Sequence, residues 1–354
     1  MRLLIGGSSS KFFHLTEFTK SLNNLGVETK LVFDKDIVDG FPSKKITSWF
    51  ESKEKFSELL RSFRPDAILV DRQRHFAMAA LKSGLPLFIH LRGDLWSEIE
   101  MAKKTLYRSF SRKIAINQWE KMANQTFTGA AGIFPICRYL EDIVRKHYPD
   151  KRTNVMYSGI NSDNWYNVDG MRLRHPCVGL LQGAVIWGKT KELLILPKIL
   201  ESLPDVTFYW AGDGPYRNEI TSKLSKYQNF VYLGALKYPD QVRQYLSEID
   251  IYGLMSGLDM SPLTLQEAQL MKRPVIATRV GGIPEMMSDG ETGYLVNSED
   301  HFAWIEKISI LLNEDNKRKA MGDAGRKFIE ENFSWEKIAS NFANTLRKFL
   351  EKND

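Results

Sequence analysis

The stretch that decides the fold is DMSPLTLQEAQLMKRPVIATRVGGIPE, residues 259–285. It opens with a turn-rich loop, Asp259-Met260-Ser261-Pro262-Leu263-Thr264. Leu265, Ala268 and Met271 then recur at helical spacing, which predicts a helix over 265–272. Pro274-Val275-Ile276-Ala277-Thr278 reads as a short strand buried on both faces, the kind found in parallel sheets. Gly281-Gly282-Ile283-Pro284-Glu285 is a second loop that starts another helix. The apolar run over 249–256, IDIYGLMS, precedes the whole and predicts a strand. The order is strand, loop, helix, strand, loop, helix, which calls for an open parallel sheet. In such sheets ligands bind where loops leave the carboxyl ends of strands, so both loops are expected at a binding crevice.

The chemistry of this stretch can be read residue by residue. The loop before the first helix offers unpaired backbone N–H groups and the positive end of a helix dipole, which suit a phosphate. Asp259 lies in that loop and Glu267 lies roughly one turn into the helix, so the two carboxylates can bracket one ligand. Carboxylates accept well from the vicinal hydroxyls of a sugar or ribose. Phosphate donors flanked by two carboxylates describe a nucleotide-sugar site. The competing reading is a surface acid and an acid that merely favours the helix dipole, and the pair alone leaves both open.

The run resembles the donor-site signature of retaining GT-B nucleotide-sugar glycosyltransferases of family four, also called glycosyl transferases group 1. Their pattern is Glu, seven residues, Glu-Ala, a Pro-Val-Ile-Ala strand, and Gly-Gly-x-Pro-Glu. Glu267-Ala268, Pro274 to Ala277 and Gly281 to Glu285 stand in register with it, while Asp259 replaces the first Glu by a side chain one methylene shorter. The resemblance implies an α/β chain of two Rossmann-like, doubly wound domains facing a central cleft. It implies domains over 1–165 and 166–333, with a C-terminal helix over 334–354 that packs back on the first.

Composition agrees with a packed, soluble-type chain. The 354 residues suit two domains of ordinary size, and 43% apolar with 12% aromatic residues is ample for two cores. No apolar run approaches the ~20 residues needed to span a bilayer, and Met1-Arg2-Leu3-Leu4-Ile5-Gly6-Gly7 reads as a strand into glycine, not a signal peptide. Cys137 and Cys177 both sit in apolar surroundings, which fits buried thiols in a reducing compartment. No Cys/His spacing has the form of a metal site. A net charge of +6 suits an anionic nucleotide, a lipid diphosphate or an acidic membrane surface. Nucleic acid is not expected, because no basic and aromatic platform recurs.

In the first half, strands are expected over 1–6, 27–33, 66–71, 86–90 and 132–136, with helices over 12–25, 53–63, 75–83 and 139–146 between them. That alternation indicates a doubly wound domain. Gly6 and Gly7 open a glycine and serine loop between strand and helix, which is either an anion-binding corner or an ordinary tight turn. His90, Arg92 and Asp94 leave the carboxyl end of a strand and should face the crevice. A single long helix is expected over 99–122, with Lys104, Arg108 and Arg112 forming a basic stripe at four-residue spacing. It is either a core helix with a solvated charged face or an interfacial helix that meets anionic lipid. Residues 154–161 resemble the family's strand that closes the first domain.

In the second half, the domain opens with residues 177–183, strands are expected over 206–210 and 230–233, and residues 290–296 read as a turn and a last strand. The family carries Gly-Arg at the positions of Gly183-Ala184 and a Lys five residues on. Lys189 matches the Lys, but Ala184 stands where the Arg would be. Both cations neutralise the diphosphate leaving group as charge grows on it. With the Arg absent, Lys191 or an arginine of the first domain is the candidate replacement. Gly212-Asp213-Gly214-Pro215 resembles the family's supporting turn, and Gly234 to Lys237 the loop that seats the base.

The resemblance therefore implies transfer of a hexose-type sugar from a nucleotide-diphosphate sugar, UDP- or GDP-linked, to a hydroxyl acceptor, with retention and without metal or other cofactor. The acceptor would be a glycan, a lipid-linked glycoconjugate or a small molecule. Lys189, Leu263 and Thr264 would hold the diphosphate, with Gly6 and Gly7 facing it. Glu267 would hold the ribose, Asp259 the sugar hydroxyls, and His90 would lie near the sugar. Arg92 and Asp94 would face the acceptor. The catalytic set is then His90, Lys189 and Asp259. The expected location is the cytoplasm, with peripheral contact to the cytoplasmic face of a membrane through the 99–122 helix. Two alternatives are a non-catalytic nucleotide-sugar-binding protein, motivated by Ala184, and a GT-B nucleotide-sugar 2-epimerase.

Overall fold

The computed structural model describes residues 1–8, 12–41, 54–104, 107 and 109–351. They form two units, one of residues 1–159 with 335–354, the other of residues 160–334. The division falls at Gly159 and Ile160, a few residues before the expected 165/166 boundary.

The first unit is built on a five-stranded parallel sheet. Its strands are β1 (Arg2–Gly7), β2 (Glu28–Phe33), β3 (Ala67–Val70), β4 (Leu87–Leu91) and β5 (Gly132–Pro135), in the order β2-β1-β3-β4-β5. Strands β3, β4 and β5 are buried throughout, as sequences apolar but for His90 require when helices cover both faces. The register pairs Leu3 with Ala67, Ile68 with Leu87 and His90 with Phe134. The winding reverses between β1 and β3, so the loops after these two strands flank the topological switch point.

The C-terminal helix Trp335–Glu351 belongs to this unit's core. Trp335, Phe342 and Leu346 are buried with Phe18, Phe88 and Phe134, and Gly159 leaves room for the Trp335 indole, which a Cβ there would meet at 2.4 Å.

The second unit has a six-stranded parallel sheet. Its strands are β6 (Cys177–Leu181), β7 (Thr207–Ala211), β8 (Phe230–Gly234), β9 (Ile251–Leu254), β10 (Val275–Thr278) and β11 (Gly293–Val296), in the order β11-β10-β9-β6-β7-β8. The reversal falls between β6 and β9. Val178, Leu180, Phe208, Trp210, Ile251, Ile276 and Trp304 are central to one core.

Three expectations need correction. The loop over 281–285 starts no α-helix, because Ile283–Glu285 is a single 3-10 turn and the next element is β11. The single helix over 99–122 is two helices, Leu95–Lys104 and Phe110–Gly129. Ser109 has extended backbone (φ −71°, ψ 154°) and starts the second, so the four-residue spacing does not run along one helical face. Lys104 pairs with Glu100 instead, and Arg108 lies outside the described residues. Residues 154–159 do not form a strand either. Asn154 N–H donates to the Ile133 carbonyl at 3.3 Å and Met156 N–H to the Pro135 carbonyl at 2.8 Å, so the segment runs beside β5, but the pairing amounts to one isolated bridge next to it, Ile133 with Thr153. No helix among the described residues is long and apolar enough to cross a membrane.

Candidate active site

In the second unit the loops that follow β6 and β9 converge, as the switch point demands. Gly257 N–H donates to the Lys189 carbonyl at 3.1 Å, and Lys189 Nζ lies 3.0 Å from Asp259 Oδ2. The helix expected over 265–272 begins two residues earlier, as Leu263–Leu270, because Pro262 sits at its N-cap with extended backbone. The amides of Leu263 and Thr264 are thus the first two of the helix, where no carbonyl of the same helix can accept from them. They point the positive end of the helix dipole into the loop that carries Asp259.

The Gly-Gly loop after β10 explains how Asp259 is held. Gly282 N–H donates to the Asp259 carbonyl at 2.8 Å. Gly281 adopts φ +56°, and a Cβ on it would lie 2.1 Å from that same carbonyl oxygen. Only glycine meets both demands. The two loops singled out in the sequence therefore form one structure, with the second bracing the first.

Glu267 is 4% exposed. Burial pushes its carboxyl up to about 8, opposed by a hydrogen bond from the Tyr238 hydroxyl. Tyr238 is pushed up to about 12, first by burial and then by the charge of Glu267. Beneath the site, the Tyr252 hydroxyl donates to Thr264 Oγ1 at 2.7 Å. Burial raises Tyr252, with Glu267 and Asp259 both adding to the shift. Tyr238 and Tyr252 were not singled out in the sequence. Tyr238 directly follows the loop expected to seat the base, which is the one local signal it had.

In the first unit, Gly6 and Gly7 lie in β1 itself. A Cβ at Gly6 would meet the Phe76 ring at 2.4 Å and one at Gly7 would meet Leu15 at 2.3 Å, so both serve close packing without any ligand. His90 is enclosed, with Nε2 donating to the Met156 carbonyl at 3.1 Å. That bond leaves Nδ1 as a bare acceptor without a partner. Burial and then the Arg92 charge lower His90 to about 3, so the ring is neutral. Asp94 is committed to the helix Leu95–Lys104. It accepts from Ser97 N–H at 3.1 Å and from the Ser97 hydroxyl, the bonding of a helix cap. Arg92 donates to Ser158 Oγ at 3.1 Å and lines a pocket of ≈ 430 Å³.

Residues 190–314 match the family described as glycosyl transferases group 1. Over residues 190–314 the chain is similar to glycosyl transferases of group 1. It is 29% identical over 160 residues to the sulfoquinovosyl transferase of Arabidopsis thaliana, covering 44% of this chain and 31% of that protein. An uncharacterized glycosyltransferase of Methanocaldococcus jannaschii is 28% identical over 229 residues, covering 64% of this chain and 60% of its own. The GDP-mannose-dependent monoacylated alpha-(1-6)-phosphatidylinositol monomannoside mannosyltransferase of Corynebacterium glutamicum is 31% identical over 168 residues, 45% of this chain and 44% of its own. The matches thus span one third to three fifths of these relatives' lengths. Among solved structures, sucrose-phosphate synthase from Thermosynechococcus elongatus superposes with TM-score 0.75 at 16% identity over 99% of each chain. A glycosyltransferase from Rickettsia africae does so with 0.70 at 16%, over 99% of this chain and 98% of its own. The fold is GT-B, two Rossmann-like α/β domains.

The departure at Ala184, which precedes the matched residues, has a structural setting. Ala184 is fully buried in the second unit's core. Its amide donates to the Asp213 carbonyl at 3.0 Å and its own carbonyl accepts from Tyr216 at 3.1 Å, so the Gly-Asp-Gly-Pro turn holds this loop closed. Lys191, by contrast, is exposed, and its Cε lies 3.4 Å from where a Cβ on Gly257 would sit. Its chain therefore runs beside the loop that pairs Lys189 with Asp259. At the opposite end of β6, His175 lies between Asp250 (2.8 Å) and Glu248 (3.0 Å), near Cys177. Burial pushes the Cys177 thiol up to about 12 and the carboxylates raise His175, so the group reads as a buried thiol beside an ion pair.

Proposed function

We propose that this protein transfers a hexose-type sugar from a nucleotide-diphosphate sugar to a hydroxyl acceptor, with retention of configuration, as in family four. The observation that carries the reading is the convergence of Lys189 and Asp259 at the N-terminus of the helix Leu263–Leu270, over the β6/β9 switch point. Lys189 and the amides of Leu263 and Thr264 hold the diphosphate, and their charge and dipoles stabilise the negative charge that grows on the leaving phosphate. Glu267 accepts from the ribose hydroxyls and Asp259 from the sugar. Retention follows from front-side attack, in which the leaving phosphate takes the acceptor proton, so no protein nucleophile is required. Arg92 belongs to the acceptor side. UDP and GDP remain the two donor bases to test.

Thermal shift across a panel of nucleoside diphosphates and nucleotide sugars, with Glu267→Ala and Lys189→Ala as controls, tests the donor site. A ligand at 100 times its dissociation constant adds about 2.7 kcal/mol. One nucleotide sugar should stabilise the wild type and neither variant, and proton NMR of the released sugar should show the donor's anomeric configuration. No shift with any donor would overturn the assignment.

A further inference from the structure

The first unit carries a pocket of ≈ 430 Å³ at the carboxyl ends of β3 and β4, lined among others by Asp71, Gln73, Arg74, Arg92, Glu98 and Trp119. Its polar groups are unusual in what they lack. Arg74 lies with its guanidinium 3.9 Å over the Trp119 ring, and among the described residues it makes no hydrogen bond or ion pair. Among the described residues Arg92 makes a single hydrogen bond, to Ser158, and Asp71 supports its charge. Each guanidinium has five N–H donors in a planar fork. The Gln73 side chain is 9% exposed and its Nε2 has no partner. Arg72 differs, because both Asp34 carboxylate oxygens already hold it. Burial is the main cause that lowers both Arg74 and Arg92, so leaving their donors unmatched is costly.

We propose that this pocket binds the acceptor through one oxyanion group, a phosphate or carboxylate, held by the guanidiniums of Arg74 and Arg92 with the Gln73 amide as a further donor. The inference rests on the transferase reading only for the word acceptor. The forked donors match the two-oxygen edge of a phosphate or carboxylate. The stack on Trp119 keeps the Arg74 plane fixed for that contact. The rest of the lining limits the ligand. Asp71, whose oxygens accept from Ser8 N–H and Oγ at 2.9–3.2 Å, and Glu98 repel further negative charge and accept from hydroxyls. The ligand class is a hydroxylated molecule with a single anionic group, either a soluble metabolite or the headgroup of a lipid.

Calorimetric titration of the full chain with inorganic phosphate, glycerol 3-phosphate and glycerol tests this, beside flotation with phosphatidylglycerol and phosphatidylcholine vesicles. Glycerol 3-phosphate should bind and glycerol should not. Arg74→Gln and Arg92→Gln should each weaken that binding by about tenfold or more, as loss of a charge-assisted pair requires. If Arg92→Gln lowers the melting temperature, Arg74→Gln decides alone, since that guanidinium makes no hydrogen bond to lose. Flotation with phosphatidylglycerol that Arg74→Gln abolishes would assign the oxyanion to a lipid headgroup, and binding of the soluble phosphate alone would assign it to a metabolite. No binding of any phosphate species, or equal binding by wild type and both variants, overturns the proposal. Nucleotide-sugar binding by the same wild-type preparation is measured in parallel. Donor binding without phosphate binding defeats this inference alone, and phosphate binding without donor binding defeats the transferase reading alone.

Discussion

Lys189 Nζ and Asp259 Oδ2 stand 3.0 Å apart, an ion pair made across two loops that both leave the sheet at the β6/β9 reversal. The side chains are 34% and 17% exposed, so water screens the pair only in part. Without ligand each neutralises the other. On the proposed donor assignment, a diphosphate arriving at Lys189 would compete with Asp259 for the ammonium, while a sugar on that diphosphate would offer Asp259 hydroxyls in exchange. The pair would thereby favour the intact nucleotide sugar over the bare nucleotide.

Asp259→Asn should separate these effects. Removing the carboxylate leaves Lys189 uncompensated, so the bare nucleoside diphosphate should bind more tightly, by about 1 kcal/mol or roughly fivefold, the scale of a partly screened pair. Sugar transfer should fall, because the amide is a poorer acceptor for hydroxyls. Calorimetry with the diphosphate and a transfer assay read the two arms, and weaker diphosphate binding by the variant would refute the competition.

If Glu267 holds the ribose as proposed, donor binding should depend on pH. Its folded value of about 8 lies above the ordinary 4.5. Below pH 4.5 both folded and unfolded chains are protonated there. Between 4.5 and 8 the unfolded chain releases the proton and the folded one keeps it, so stability declines as pH rises, by up to about 1.4 kcal/mol per unit, and levels off above 8. Ribose hydroxyls prefer the ionised form, so donor affinity should climb toward pH 8 and then flatten, with proton release on binding. Glu267→Gln should flatten the stability profile relative to wild type over pH 5–8 and weaken donor binding. Parallel thermal-melt profiles for wild type and variant would count against the assigned shift.

Much of this was legible before the structure. Strands such as Cys177–Leu181 and Val275–Thr278 are buried on every residue, almost wholly apolar and bounded by turn residues, a local property that survives any tertiary arrangement. The loop chemistry of 259–285 was legible for the same reason, since its glycines, proline and carboxylates act within a few residues of one another. The break between Lys104 and Phe110 was not, because apolar spacing continues across it and Ser109 alone marks the new start. Nor were the Tyr238–Glu267 bond or the Arg74–Trp119 stack, which join elements far apart in the chain.

Ala184 poses a question of charge, and we propose that Lys191 supplies the second cation. The family's second cation is replaced by a methyl group buried in the core, while the Lys191 chain passes Gly257 beside the Lys189–Asp259 pair. Lys191→Ala should reduce kcat/KM by about tenfold, the worth of one charge-assisted contact, with Lys189→Ala costing more. Lys191 is exposed, so the melting temperature should hardly move. Unchanged kcat/KM in Lys191→Ala would assign the second cation elsewhere.

The last helix is as much a part of the first unit as its sheet. Phe342 is 2% exposed, with its ring 4.7 Å from that of Phe134 and 5.2 Å from that of Phe18. Truncating a buried aromatic costs about 3–5 kcal/mol, the lost transfer free energy plus the cavity left behind. Phe342→Ala should therefore destabilise the first unit by that amount. The Lys189–Asp259 loops lie wholly in the second unit, around a separate core. Calorimetric unfolding of the variant should show an earlier transition for residues 1–159 with 335–354, while nucleotide binding persists above it. Loss of nucleotide binding together with that early transition would mean that the units do not unfold separately.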